Sequence, residues 1–316
     1  MTMIHTIMKA ARKMTAMAVP ALAAVLAASI SACSDWTTPE SVGVQTVHPW
    51  EQDPQLWEDY RAAVRDYKSR PHSLIYVRFE NSPEGALNEK AYMRCLPDSL
   101  DFVSLTNAEN FSSFDAEDMG WMKAMGTKVL YQLDFAADPD MLYDAALRDA
   151  ALAHAVETFS ENGLDGFAVT GLPKDDGGVT DAAAAAVLDA LLQAAGTDGV
   201  IAFEGDPAFI PADRLTDIDL FILPTQTAEN AYDLRNIVLD AQDLGVTKDR
   251  MILAASFDGS FYDSENVSAD PLTSVADQVI ALGPMAGLAL FDIESDYYNA
   301  DGDWLTLRRM ISRMNP

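Results

Sequence analysis

The amino-acid sequence predicts a closed (β/α)8 TIM barrel, and three observations lead to that fold class. Eight short apolar runs recur along the chain and are separated by segments of helical period. Residues 33–316, which follow an N-terminal export segment, are close in length to the roughly 250 residues typical of this barrel. No change of composition and no long linker divides residues 50–316, so we expect one domain there.

The eight predicted strands are continuous apolar runs, the pattern of parallel strands that are buried on both faces. They are Leu74–Phe79, Phe102–Leu105, Lys128–Phe135, Leu164–Val169, Val200–Phe203, Leu220–Leu223, Met251–Ser256 and Leu288–Ile293. A doubly wound open sheet is the alternative fold. It requires a glycine-rich phosphate loop after the first strand, whereas residues 79–83 contain no glycine.

Helices are expected between these strands, because apolar side chains recur there every three or four residues. One amphipathic helix, Leu56–Lys68, precedes the first strand. The clearest of the later ones are Met141–Phe159, Asp181–Ala195, Ala228–Leu244 and Leu272–Leu282.

The N-terminus has the layout of a bacterial lipoprotein signal. A basic segment ending at Lys13 precedes an uncharged apolar stretch, and small residues lead to Cys33. We expect residues 1–32 to be a signal peptide, Cys33 to be lipidated, and residues 33–49 to be a polar tether. Ser34 and Asp35 resemble a signal for export to the outer face of the outer membrane. A cleaved signal with an incidental cysteine is the alternative interpretation.

Charge and composition limit the classes of partner. The chain carries 49 acidic and 21 basic side chains, a formal net charge of −28, which disfavours binding to nucleic acid. We expect contact with the membrane only through the lipid anchor. Two cysteines and four histidines without metal-ligand spacing predict no metal site, and no cofactor is expected.

In a barrel of this kind the functional residues lie where the carboxyl ends of the strands form one mouth. The residues at these positions combine carboxylates, amides and aromatic rings, a mixture suited to sugars. The substrate-binding candidates are Gln132, Asp134, Glu204, Gln226, Phe257, Asp258, Glu294, Asp296, Tyr297 and Tyr298. Tyr297 and Tyr298 are expected to supply stacking rings.

The segment 162–172 resembles the fourth-strand motif of glycoside hydrolase family 18, which contains chitinases and endo-β-N-acetylglucosaminidases. The family pattern is G-[FL]-D-G-[IF]-D-I-D-x-E, and residues 163–166 match its beginning. Further segments resemble a family 18-related group of surface lipoproteins that are encoded with glycan-uptake systems: residues 38–41, 66–69, 75–79, 292–297 and 314–316.

The resemblance implies that the catalytic part of the motif is degenerate. The family's second and third aspartates correspond to Ala168 and Thr170, and its catalytic glutamate to Leu172. Residues at these alternate positions share the barrel-facing side of a strand. All three side chains that would handle the proton and the N-acetyl group are therefore replaced together. Asp165 survives and is expected to support the strand. The sixth strand lacks the family's tyrosine, which leaves Gln226 as its polar candidate.

The resemblance therefore implies a non-catalytic glycan-binding lipoprotein at the outer membrane. Its expected ligand is an N-glycan or another N-acetylglucosamine-containing oligosaccharide held for uptake, and an outer-membrane glycan transporter is a further expected partner. Two alternatives remain open. One is an endo-glycosidase whose displaced acid is Glu204 or Glu294, and the other is a scaffold lipoprotein with a vestigial groove.

Overall fold

The computed structural model describes residues 48–81, 88–171 and 179–316. The chain divides into two units, Met1–Pro54 and Gln55–Pro316. In the first unit, the described part is a short helix, Pro49–Gln52, whose N-cap residue His48 donates its backbone N–H to Glu51 Oε2 at 3.0 Å. The predicted signal, Cys33 and residues 33–47 of the predicted tether lie outside the described residues, so these assignments stay predictions. The last two residues of the predicted tether, His48 and Pro49, begin this helix.

The second unit contains a closed barrel of eight parallel strands, which confirms the predicted fold class. Each strand pairs with its neighbours in chain order, and β1 closes the barrel by pairing with β8 as well as β2. The strands are β1 (Leu74–Phe79), β2 (Phe102–Leu105), β3 (Lys128–Asp134), β4 (Gly166–Thr170), β5 (Val200–Glu204), β6 (Leu220–Leu223), β7 (Met251–Ser256) and β8 (Gly287–Phe291).

Seven longer helices accompany the strands in the described ranges. They are α1 (Pro54–Ser69), α2 (Ser113–Met125), α3 (Ala145–Asn162), α4 (Val179–Ala195), α5 (Ala231–Asp243), α6 (Pro271–Leu282) and α7 (Leu305–Met314). The expected helix 141–159 is divided, because Asp144 adopts an extended backbone and caps α3 by accepting from the N–H groups of Ala146 and Leu147.

The expectation that a helix follows every strand is corrected at two places. In the described residues, β1 is followed by the 3-10 turns Glu89–Ala91 and Met93–Cys95, and β5 by Pro207–Phe209 and Ala212–Asp217. Pro207 and Pro211 account for the second case, because proline removes a backbone donor and restricts the residue before it.

Strand alternation produces two apolar layers. One lies between the barrel and its helices, and the smaller one fills the barrel interior. Tyr76, Phe102, Leu130, Ala168 and Phe291 belong to the interior layer, which places position 168 inside the barrel as predicted from the period of the strand.

Gly166 shows why the start of β4 needs a residue without a side chain. Its φ is +158°, and a Cβ built there would lie 2.0 Å from the Val200 carbonyl oxygen on β5. The neighbouring strand therefore approaches too closely for any other residue. This packing requirement explains a glycine of the motif without reference to catalysis.

Asp165 is one of three aspartates that each accept an N–H group of a neighbouring strand at the amino-terminal face of the barrel. Its Oδ2 accepts the Val129 N–H at 2.9 Å, and burial raises the pKa of this carboxyl group. Asp101 and Asp219 precede β2 and β6 and accept the N–H groups of Ile75 and Ile201 in the same way, both at 2.8 Å. Asp165 thus joins the start of β4 to β3, which agrees with the supporting role expected for it.

His72 and Asp101 form a buried pair at the same face, with 2.8 Å between Nε2 and Oδ1. The hydrogen bond to Asp101 raises the pKa of His72 above its usual value of 6.5. The pair therefore contributes its full stabilisation below pH 6.5, and the contribution is lost as pH rises through the raised pKa of the folded protein.

We expect His72→Gln to reduce the free energy of unfolding by about 1.5 to 3 kcal/mol at pH 6, the size of a hydrogen bond to a charged group. The difference from wild type should shrink toward pH 9, because neutral His72 keeps only an uncharged hydrogen bond. Urea titrations at several pH values measure this. Asp101 and the adjacent Lys68 remain in both proteins, so a constant difference across the range would contradict the prediction.

Candidate functional site at the mouth of the barrel

The carboxyl ends of β1, β4, β5, β6 and β8 and the loops that follow them surround a cavity of about 320 Å³. This volume lies at the lower end of the range for small-molecule sites and suits about one sugar unit. The described residues that line the cavity are Arg78, Thr170, Gly171, Glu204, Gly205, Asp206, Phe209, Ile222, Pro224, Gln226 and Phe291.

An ion pair crosses the barrel beneath this cavity. Arg78 ends the interior face of β1, and Glu204 ends β5, the strand opposite β1 in the closed order. Arg78 Nη2 and Nε lie 2.5 and 2.6 Å from Glu204 Oε2. The guanidinium carbon also lies 3.9 Å from the centre of the Phe291 ring, in a cation–π contact. The pair therefore forms a polar floor to the mouth.

Glu204 is held by three protein side chains. Its Oε1 accepts hydrogen bonds from the Tyr76 hydroxyl and from Gln132 Nε2, the latter at 3.0 Å, while Oε2 accepts the bond from Arg78 Nε and forms the ion pair with Nη2. Both carboxylate oxygens are therefore engaged within the protein. This argues against both roles expected for Glu204, as a displaced acid or as a sugar ligand. Gln132 likewise supports Glu204, and it does not line the cavity.

The environment of Glu204 also controls the protonation of its partners. Burial, and then the Glu204 charge, raise the pKa of Tyr76 well above its usual value, so this hydroxyl remains a donor. Burial alone would lower the pKa of Arg78, but the charge and hydrogen bond of Glu204 outweigh it and the net change is upward. At neutral pH Tyr76 therefore stays protonated and Arg78 stays charged, so both remain hydrogen-bond donors to Glu204.

The family's catalytic positions on β4 hold no carboxylate in the described residues. Ala168 is buried in the interior layer, and Thr170 faces the cavity beside Glu204, its registered neighbour on β5. Leu172 lies outside the described residues. A methyl group and a hydroxyl group cannot protonate a leaving oxygen at neutral pH as a carboxylic acid does.

Two polar groups at the mouth retain unused hydrogen-bonding capacity. Gln226 Oε1 is buried and has no hydrogen-bond partner among the described residues. Arg78 uses Nε and Nη2 for Glu204, whereas no hydrogen bond involves its Nη1 in the described part of the chain. A buried acceptor without a donor is costly, so Gln226 is suited to receive an N–H or O–H group from a ligand.

Four other rim candidates lie at strand ends but do not line the cavity. Asp134 Oδ1 accepts from the N–H groups of Ala136 and Ala137 and so stabilises its own loop. Phe257 packs against the outer core, and Asp258 is exposed. Glu294 Oε1 accepts the Glu80 N–H at 3.3 Å. Their sugar-binding roles stay predictions.

The segment after β8 differs from what the sequence suggested. Asp296 caps α7, because its carboxylate accepts the N–H groups of Thr306 and Leu307 at 3.1 and 2.8 Å. Tyr297 is buried, packs edge-to-face on Trp304 and donates its hydroxyl to Glu89 Oε2 at 2.9 Å. Asp296 and Tyr297 therefore stabilise the fold, and the Tyr297 ring is not available to stack on a sugar. Tyr298, 67% exposed, is the ring of the pair that a ligand could reach.

Three residues that line the cavity are absent from the candidates predicted from the sequence: Arg78, Phe209 and Phe291. Arg78 carried a usable signal, since it is the one charged residue within β1 and shares the interior parity of Tyr76. A charge on the inner face of a barrel requires a partner. The positions of Phe209 and Phe291 have no comparable local signal.

Within the described ranges, no three His, Cys, Asp or Glu side chains are grouped in a way that could hold a metal ion. The same part of the chain contains no helix that is both long and apolar enough to cross a bilayer.

The comparisons with known proteins agree with this architecture. Residues 37–149 match the model of the family described as glycoside hydrolase family 18, BT1044-like. The matched segment ends before the β4 motif. No curated protein sequence matches the chain significantly.

Similar solved structures extend the likeness over most of the barrel. A variant of BT1044 has a TM-score of 0.67 at 17% identity, covering 84% of this chain and 95% of that one. The endo-β-N-acetylglucosaminidase of Cordyceps militaris has a TM-score of 0.61 at 17% identity, covering 82% and 96%. The chitinase-like agglutinin of Robinia pseudoacacia has a TM-score of 0.54 at 12% identity, covering 76% and 98%. The chain thus matches a family 18 model over residues 37–149 and shares the barrel fold of these structures, which supports the resemblance to family 18.

Proposed function

We propose that this family 18-like barrel binds a glycan at its mouth and does not hydrolyse it. The proposal rests on which polar groups at the mouth are already hydrogen bonded within the protein and which are not. The buried carboxylate of the mouth, Glu204, is held by Tyr76, Gln132 and Arg78, while Gln226 Oε1 and Arg78 Nη1 are unused and border one cavity. The other carboxylate of the lining, Asp206, caps a 3-10 turn by accepting the Ala208 N–H at 2.9 Å. The site is therefore better equipped to hold a polar ligand than to transfer a proton to it.

The chemistry of the cavity suits a sugar that bears an amide. Gln226 accepts a hydrogen bond and Arg78 donates one, so together they complement a ligand with one donor and one acceptor, such as an N-acetyl group. Phe209, which is partly exposed, supplies apolar surface for the carbon face of a ring. The endo-β-N-acetylglucosaminidase and the agglutinin with this fold support a carbohydrate ligand by analogy.

The loss of hydrolysis is supported by Ala168 and Thr170, which stand where family 18 requires carboxylates. General acid catalysis contributes typically 10²- to 10⁴-fold to a rate, and no free acid is held at these positions. A surface location, a lipid anchor at Cys33 and delivery of N-acetylglucosamine-containing host glycans to an outer-membrane transporter complete the proposal. These parts rest on the sequence resemblance.

The test is calorimetric titration with chitin oligosaccharides and chitobiose-core N-glycans, with chromatography of the same mixtures for released products. We expect binding without product release. We expect Gln226→Ala to weaken binding about tenfold or more, because losing one buried hydrogen-bond partner costs about 1 to 3 kcal/mol.

Gln242→Ala is the matched control, since Gln242 is exposed on α5 and does not line the cavity. It should bind as wild type does. Product release at a rate within tenfold of an active family 18 enzyme would refute the non-catalytic part and direct attention to Glu294. Binding that is unchanged in Gln226→Ala would refute the mouth as the site.

A further inference from the structure

A second cleft, of about 670 Å³, lies on the outer side of the barrel between the segment that leads into α5 and the hairpin that follows β7. The strands of this hairpin are Phe261–Tyr262 and Ser268–Ala269. The residues that line the cleft include Tyr232, Tyr262, Glu229, Asn266, Arg235 and Gln278. None of its lining residues belongs to the mouth cavity.

The walls of the cleft are joined by backbone contacts. The Tyr262 N–H donates to the Glu229 carbonyl at 2.8 Å, and residues 230 and 262 form a parallel bridge. Asn230 caps α5 by accepting the N–H groups of Tyr232 and Asp233 at 2.9 and 3.1 Å. The cleft is therefore preformed, and a ligand would pay little to order it.

The side chains of the cleft present both ring surface and polar groups to solvent. Tyr232 is 72% exposed at the start of α5, whereas Leu234 and Val238 of the same helix are buried in the core. Arg235 Nε donates to Gln278 Oε1 at 3.2 Å, which leaves the Arg235 Nη groups and Gln278 Nε2 as donors without a hydrogen bond in the described part. The Glu229 carboxylate is exposed and can accept hydrogen bonds.

We propose that this cleft is a second carbohydrate-binding site, which takes an uncharged oligosaccharide. Tyrosine rings pack on the carbon face of a sugar, while amide, guanidinium and carboxylate groups hydrogen bond to its hydroxyls. The net charge of −28 repels anionic ligands. Two further carboxylates line the cleft: Asp277 is paired with Arg313, and Asp263 Oδ1 accepts the N–H groups of Glu265 and Val267. Glu229 is therefore the carboxylate left to accept from a ligand, beside the donors of Arg235. A neutral, hydroxyl-rich chain satisfies both the donors and the acceptors of the cleft.

The test is calorimetric titration with a panel of uncharged tetrasaccharides, namely chitotetraose, mannotetraose, xylotetraose and cellotetraose. We expect at least one of them to bind at this second cleft. Tyr232→Ala should bind it about tenfold more weakly there, because the contact between the ring and the sugar is lost. Tyr232→Phe should retain binding, because the ring is kept. Because Tyr232 is exposed, the melting temperature of both variants should stay that of wild type.

Tyr143→Ala is the matched control, since Tyr143 is also exposed and lies outside the cleft. Gln226→Ala separates the two proposals: it should weaken binding at the mouth about tenfold or more and leave the Tyr232-dependent binding intact. The second site is refuted if no tetrasaccharide binds to wild type, or if Tyr232→Ala and Tyr262→Ala both bind as wild type does. The latter result would favour a protein as the ligand of this cleft.

Discussion

Replacement of Glu204 by alanine is expected to lower the free energy of unfolding by about 3 to 5 kcal/mol, because removing one member of a buried ion pair leaves the other charge uncompensated. The variant would leave Arg78 without its counterion, and Tyr76 and Gln132 without their acceptor. Since Tyr76 is completely buried, its hydroxyl loses its protein acceptor inside the barrel, which adds to the cost.

Chemical unfolding followed by circular dichroism measures this effect, and two further variants define its cause. Glu204→Gln keeps the shape of the side chain but not its charge, so its loss should be smaller than that of alanine. The double variant Arg78→Met, Glu204→Leu removes both charges together, and such apolar replacements are often neutral. A double variant less stable than Glu204→Ala would show that the pair is not the source of the effect.

The adjacent tyrosines after β8 should respond very differently to replacement by alanine. Tyr297→Ala is expected to lower the free energy of unfolding by about 3 to 5 kcal/mol, the usual cost of deleting a large buried aromatic side chain. It removes the packing on Trp304 and the hydroxyl bond to Glu89. Tyr298→Ala should change stability by less than about 0.5 kcal/mol, because its ring is largely exposed.

The same two variants separate a fold role from a ligand role. Thermal unfolding should show a lower melting temperature for Tyr297→Ala alone, and glycan titration of the still folded Tyr298→Ala protein would report any stacking by that ring. Equal stability losses in the two variants would contradict the assignment of Tyr297 to the core. A double replacement is uninformative, because loss of fold would hide loss of binding.

Local pattern was sufficient for the strands of the barrel. Continuous apolar runs identified all eight, since every strand of a closed parallel barrel is buried on both faces. Period-2 alternation also placed Ala168 on the interior side. The turns after β1 and β5 were not recognised, because a short 3-10 segment has no periodicity that distinguishes it from a helix end.

The partners of the site residues could not be obtained in this way. Strand alternation identifies which side chains face inward, but not which of them meet across the barrel. Arg78 and Glu204 are 126 residues apart, and Gln132 and Glu204 are 72 apart. Such contacts depend on barrel closure, which brings β1 opposite β5, and no local pattern encodes that distance.

The sequence by itself determined the fold class and the residues Ala168 and Thr170, at which its motif departs from the family 18 pattern that it resembles, because backbone period and residue identity are local properties. Only the tertiary structure decided that Glu204 is held by Tyr76, Gln132 and Arg78, that Gln226 has an unused acceptor, and that Tyr297 is buried while Tyr298 is exposed. Solvent exposure and the pairing of hydrogen-bonding groups depend on atoms from distant segments of the chain. These segments become neighbours only when the barrel has closed.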